Sequence, residues 1–186
     1  MSPKGDAADD EGSTALEESL REVETLICGL DFEVAVGLEF DGTVLFWRSG
    51  DEDSVEPTLE EWALIRDEIL THNHPRGGGS LQKEDLFKTR RHDLRQVRAV
   101  TLDWIFIMER PERGWPADSR VMDLTEPTAD AIHEGVDWNE RPEWPLLFWH
   151  EMWLRISPRV GYRYSWRPMW GVDHQSPLPS VGGSWP

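Results

Sequence analysis

Two histidines stand two apart in the run Thr71-His72-Asn73-His74-Pro75, and Asp85 follows where a helix is due to begin. Imidazole nitrogen and carboxylate oxygen are ligands that zinc takes in catalytic sites. On a strand, residues i and i+2 point to one face, so His72 and His74 can reach one ion. The glycines 77–79 let the chain turn back and bring in Asp85 as a third ligand. Three protein ligands leave a fourth position for water, whose pKa the ion lowers towards neutrality. A nearby carboxylate must then take and return a proton. Glu33 and Glu39 fall on the same face of one predicted strand, and periodicity does not choose between them. The plainer alternative is two polar histidines in a turn. Pro75, the glycine run and an acid at a helix start favour the metal.

Other sites that use a His-x-His pair fit less well. Amidohydrolase sites need a (β/α)₈ barrel of roughly 250 residues, longer than this chain of 186. Zinc deaminases need Cys-x-x-Cys, and the chain has one cysteine, Cys28. That count also excludes a Cys-rich zinc site and a disulfide within the chain. His150-Glu151 has Leu154 where a helical metalloprotease motif needs its second histidine.

The elements that must position these residues follow from pattern. Residues 1–13 are small and acidic and are expected to be a disordered lead-in. Thr14 with Glu17 makes a capping box, opening a helix through Leu16, Leu20, Val23, Ile27 and Leu30. Alternation over 31–39 predicts a strand, Asp41-Gly42 a hairpin turn, and 44–47 the return strand. A polar loop spans 49–54. Thr58 with Glu61 opens a second helix. Residues 69–72 read as a short buried strand, 83–92 as a helix, and 97–101 and 104–108 as two further strands. Helices are expected at 125–136 and 145–156, a last strand at 160–166, and a loose tail at 174–186.

Net charge is −17, and residues 1–70 hold 20 acids and 4 bases, a balance of −16. Such a polyanion is a poor general partner for nucleic acid, whose phosphates repel it. No stretch approaches the apolar length of a membrane span, and residues 1–6 lack the apolar core of a secretory signal. A cytoplasmic protein without a membrane partner is the expectation. Lys83, Lys88, Arg90, Arg91, Arg95 and Arg98 form a basic run. It reads as a solvated face paired with the protein's own acids more readily than as a dock for an acidic partner. Trp149 and Trp153 share one face of a predicted helix and are expected to cover the core, with an interaction patch as the alternative. His92, His133 and His174 read as surface residues.

The run Thr71-His72-Asn73-His74-Pro75-Arg76-Gly77-Gly78-Gly79-Ser80, with Asp85-Leu86, resembles the motif of the JAMM (MPN+) zinc metallopeptidases. It is closest to the short JAB-like domains of bacterial and phage-associated proteins. Glu33-x-Ala35 and Asp41-Gly42 before the motif fit too, as do Arg98-Ala99-Val100-Thr101, Arg110-Pro111 and Gly114-Trp115 after it. The likeness covers roughly residues 31–115. It implies an α/β fold, a cytidine-deaminase-like αβα sandwich with a mixed sheet; the chain itself reads as one domain of residues 14–173, with a Trp-rich extension at about 116–173 that the likeness does not cover. The likeness implies one zinc held by His72, His74 and Asp85, with Glu33 as general acid/base and Glu39 in reserve. It further implies cleavage of a peptide or isopeptide bond in a protein or peptide substrate, including ubiquitin-like tails. The family usually has serine three residues before the metal aspartate, to stabilise the tetrahedral intermediate; here Gln82 stands there. Its amide can donate to an oxyanion, and Ser80 matches a serine in the glycine turn of the JAB-like group. Two other functions stay open: a non-catalytic binding module that keeps the fold, and a toxin or effector.

Overall fold

Strand β3 (Ile69–Asn73) is buried along its whole length, and the rest of the sheet grows outward from it. The computed structural model describes residues 7–75, 79–135 and 144–173. On one side β3 pairs antiparallel with β1 (Val34–Leu38). On the other it pairs parallel with β4 (Gln96–Val100). Parallel neighbours need a crossover rather than a tight hairpin, and α3 (Lys83–Arg91) supplies it. A strand that ends at Asn73 and a helix that starts at Lys83 therefore meet beyond the C-terminal end of β3, and the candidate ligands lie at that junction.

Hairpins complete the sheet. The Asp41-Gly42 turn, with Gly42 at φ 93°, returns the chain as β2 (Val44–Ser49). Strand β5 (Trp104–Glu109) pairs antiparallel with β4, and β6 (Arg163–Pro168) with β5. The order is β2-β1-β3-β4-β5-β6. Among the described residues only the β3–β4 pair is parallel, so the sheet is mixed.

Alternate strand residues face opposite ways, and both faces are covered. Leu20, Val23 and Ile27 of α1 (Ala7–Ile27) pack with Val34, Val36, Leu38 and Ile69. On the other face, Ala35 and Leu70 pack with Trp62 of α2 (Leu59–Leu64). Val97, Ala99 and Phe106 pack there with Leu86 of α3, Val121 and Ile132 of α4 (Asp118–Gly135), and Trp153 and Ile156 of α5 (Trp144–Val160). The expected α/β class thus stands at the level of a six-stranded mixed sheet flanked by helices. Among the described residues no helix is long and apolar enough to cross a membrane.

Several boundaries differ from the sequence reading. Helix α1 starts at Ala7, so helix replaces the expected disorder over 7–13 and Thr14 lies inside it. Alanines and acids suit a helix N-terminus, where the macrodipole favours negative charge. Helix α4 begins at Asp118, well before 125; the other end of that prediction, Val136, lies outside the described residues, as does the tail 174–186 with His174. Helix α5 runs on to Val160, which shifts the last strand to Arg163–Pro168. The capping box at α2 forms as expected. Thr58 Oγ1 accepts from Glu61 N–H at 3.2 Å, and a Glu61 carboxylate oxygen accepts from Thr58 N–H at 2.8 Å.

Candidate metal centre

His72 comes from β3 and His74 from the residue just beyond its end. Both are buried, and both turn Nε2 towards Asp85 in the first turn of α3. His72 Nε2 lies 3.0 Å from His74 Nε2 and 3.4 Å from Asp85 Oδ1, and His74 Nε2 lies 3.7 Å from Asp85 Oδ2. A tetrahedral ion at about 2.0–2.1 Å from each ligand sets the ligand atoms about 3.3 Å apart. The three residues form the one group among those described whose ligand atoms cluster closely enough to hold a metal ion.

The surroundings orient two of the three. A carbonyl can only accept, so His74 Nδ1–H donates to Gly79 O at 2.8 Å. That fixes the tautomer and leaves the Nε2 lone pair facing the cluster, the arrangement common among metal-bound histidines. Asp85 Oδ2 accepts from the N–H of Gln82, the N-cap of α3, at 2.7 Å. His72 Nδ1 is buried with no hydrogen-bond partner among the described residues.

Charge follows this geometry. Burial pushes the Asp85 carboxyl up, yet His72, His74 and the Gln82 N–H outweigh it and hold it well below the usual carboxylate range. Burial pushes His72 down, and Asp85 with Glu33 more than reverses that. His74 goes down, through burial and the charge on His72. One histidine thus favours its proton and the other its bare nitrogen, as two bases sharing one proton must.

Glu33 and Glu39 part here. Ala35 pairs with His72 and Leu38 with Ile69. Continuing that register puts Glu33 beside His74 and Glu39 beside Glu68, whose carboxylate accepts from Phe40 N–H at 3.0 Å. The strand between them is roughly 20 Å long. Glu33 lines a cavity of about 220 Å³ together with His72, His74, Gln82 and Asp85; Glu39 does not. Burial raises the Glu33 carboxyl above its ordinary value, against the pull of His72.

Asn73, which the sequence reading passed over, holds Glu33 in place. Its Oδ1 accepts from Val34 N–H at 2.6 Å, and its Nδ2 donates to Phe32 O at 2.9 Å, so one amide brackets Glu33 on both sides. The backbone of Glu33 itself is bonded to Asp51 O and Gly50 N–H at 2.7 and 2.8 Å. Gly50 is required there, because a Cβ would stand 2.0 Å from Ser54 O. An amide directly between two candidate ligands was the available signal, since a buried Asn must satisfy both its donor and its acceptor.

The two oxyanion candidates also part. Gln82 is exposed at the cavity wall. Ser80 is fully buried, does not line the cavity, and bonds Tyr164 OH at 2.7 Å. The oxyanion role for Ser80 is therefore corrected: its hydroxyl is committed to the C-terminal segment. Arg76, Gly77 and Gly78 lie outside the described residues.

The basic run is largely paired internally. Lys88 meets Glu56, Arg90 meets Asp118, and Arg98 is buried against Glu24. Arg95 lies over the Phe40 ring. His92 is stacked on Trp62 rather than free at the surface, and His133 lies against Phe148. Comparison of the chain with protein-family models, with curated proteins and with solved structures finds no match.

Proposed function

We propose that this chain is a zinc-dependent metallopeptidase or isopeptidase of JAMM type. The observation that carries the reading is the convergence of two imidazoles, the Asp85 carboxylate and the half-buried Glu33 carboxylate on one cavity. When bound, zinc supplies an acidified water and a Lewis acid for the substrate carbonyl. His72, His74 and Asp85 hold it, a mixed nitrogen and oxygen donor set of the kind zinc takes when one position stays open.

Glu33 takes the proton from the attacking water and returns it to the leaving amine. Its raised affinity for a proton and its fixed backbone suit both halves of that role. The Gln82 side-chain amide donates to the developing oxyanion at the cavity wall. The volume, about 220 Å³, is below the roughly 300–1,000 Å³ of drug-sized ligand sites. It suits a short extended segment, and we assign a flexible peptide tail, of ubiquitin-like type, as the substrate class.

Gln82 in place of serine favours a second reading, a binding module that keeps the ion and the fold without turnover. Cleavage of a panel of ubiquitin-like fusions decides between them. The peptidase reading expects activity in the wild type and a fall of about 10²–10⁴ in kcat for Glu33→Gln, with zinc content unchanged. Equal inactivity of both proteins across the panel would leave the binding module.

A further inference from the structure

We propose that the C-terminal segment is a brace that sets the geometry of the metal-ligand loop, with Tyr164 and Trp153 as its positioning residues. This rests on the metal reading of His72, His74 and Asp85. Four consecutive residues carry it. The outer two orient ligands: Gly79 O accepts from His74 Nδ1–H, and Gln82 N–H donates to Asp85 Oδ2. The inner two are held from the C-terminal side. Ser80 Oγ shares a hydrogen bond with Tyr164 OH at 2.7 Å, and Leu81 O accepts from Trp153 Nε1 at 2.6 Å. Ser80, Leu81 and Trp153 are buried.

Gly79, at the head of this stretch, lacks a Cβ and so has wide backbone freedom of its own. Two hydrogen bonds at adjacent residues, from a helix and from a strand, remove that freedom just before Asp85. Tyr164 is itself fixed, since His150 Nδ1 lies 2.7 Å from its hydroxyl. The phenol has one proton, so it donates one of its two bonds and accepts the other. His150 is packed among Phe106, Tyr164 and Trp166. Hydrogen bonds therefore link α5 to the loop without a break, and the Trp-rich segment acquires a task beyond covering the sheet.

Outer partners of metal ligands change affinity by about 10–100-fold, and Tyr164 stands one bond further out, so about tenfold is expected. The test uses the full chain. Zinc affinity is measured by competition with a chromophoric chelator, and ligand geometry by the visible spectrum of the cobalt-loaded protein. Tyr164→Phe and Ser80→Ala should each weaken zinc about tenfold and shift the cobalt bands. The double variant should be no weaker than Tyr164→Phe, which already removes the Ser80 bond. Tyr162→Phe, a buried neighbour whose hydroxyl makes no hydrogen bond to residues 79–82, should match the wild type and controls for general loosening. Wild-type affinity and spectrum in Tyr164→Phe overturn the brace alone, and so does equal weakening in Tyr162→Phe. A wild type that takes up neither zinc nor cobalt overturns the metal reading, and the brace with it.

Discussion

Thr71 and His72 are neighbours in β3 that face opposite ways, and the buried polar clusters they meet are built on opposite plans. Behind Thr71 lies Glu24, fully buried from α1. Its carboxylate accepts from Arg98 Nε at 2.5 Å and Nη2 at 3.2 Å, from Thr71 Oγ1 at 3.1 Å and from Trp170 Nε1 at 2.7 Å. The chain provides the anion with its own cation and fills the remaining acceptor positions with donors. On the His72 face the members are themselves electron-pair donors, the His72 and His74 imidazoles and the Asp85 carboxylate, with the two Nε2 atoms 3.0 Å apart. The first cluster is closed by the protein; the second is arranged to share a cation. Both clusters are polar and largely buried, so what separates structure from chemistry is whether the partners complement one another or duplicate one another.

The largest expected effect tests the closed cluster. Arg98→Met takes both guanidinium hydrogen bonds from buried Glu24 and leaves it Arg167, 3.9 Å away without a hydrogen bond; urea unfolding should report a loss of about 3–5 kcal/mol. A loss under about 1 kcal/mol would mean that Glu24 relaxes to solvent and that the two faces differ less than argued.

Next in size is His150, a buried group bonded to Tyr164 through one nitrogen while the other has no partner among the described residues. Burial takes its pKa down to about 4. The folded state therefore binds fewer protons than the unfolded one between that value and about 6.5. Stability should be full above pH 6.5 and should fall by roughly 3 kcal/mol as pH drops to about 4. Denaturation across this window should show the slope in the wild type and a flatter line in His150→Phe. An identical slope in both would remove His150 from the account.

The smallest effect belongs to the open cluster. In chelator-treated protein, Asp85→Asn should cost about 1 kcal/mol, one net hydrogen bond, because Asn can still accept from Gln82 N–H. A loss as large as that of Arg98→Met would make Asp85 a structural acid like Glu24.

How much of this was legible in the sequence depended on range. His72, His74 and Asp85 follow from rules that act over a few residues: alternation on a strand, a glycine turn and an acid at a helix start. Glu33 against Glu39 did not, because both satisfy the same period, and only the pairing of β1 with β3 puts one at the cavity and the other at the far end. Ser80 was misread because its partner, Tyr164, is 84 residues away, and the bond from Trp153 to Leu81 spans 72. The Arg98–Glu24 pair spans 74, so Arg98 looked like part of a surface run. Helix starts at Ala7 and Asp118 were missed for a local reason, since acidic first turns lacking apolar periodicity resemble linker.

Metal analysis of the purified protein, beside His72→Ala/His74→Ala, tests the central claim most directly. The account predicts one zinc per chain in the wild type and none in the double variant. A folded wild type without zinc, or zinc retained by the double variant, would contradict it.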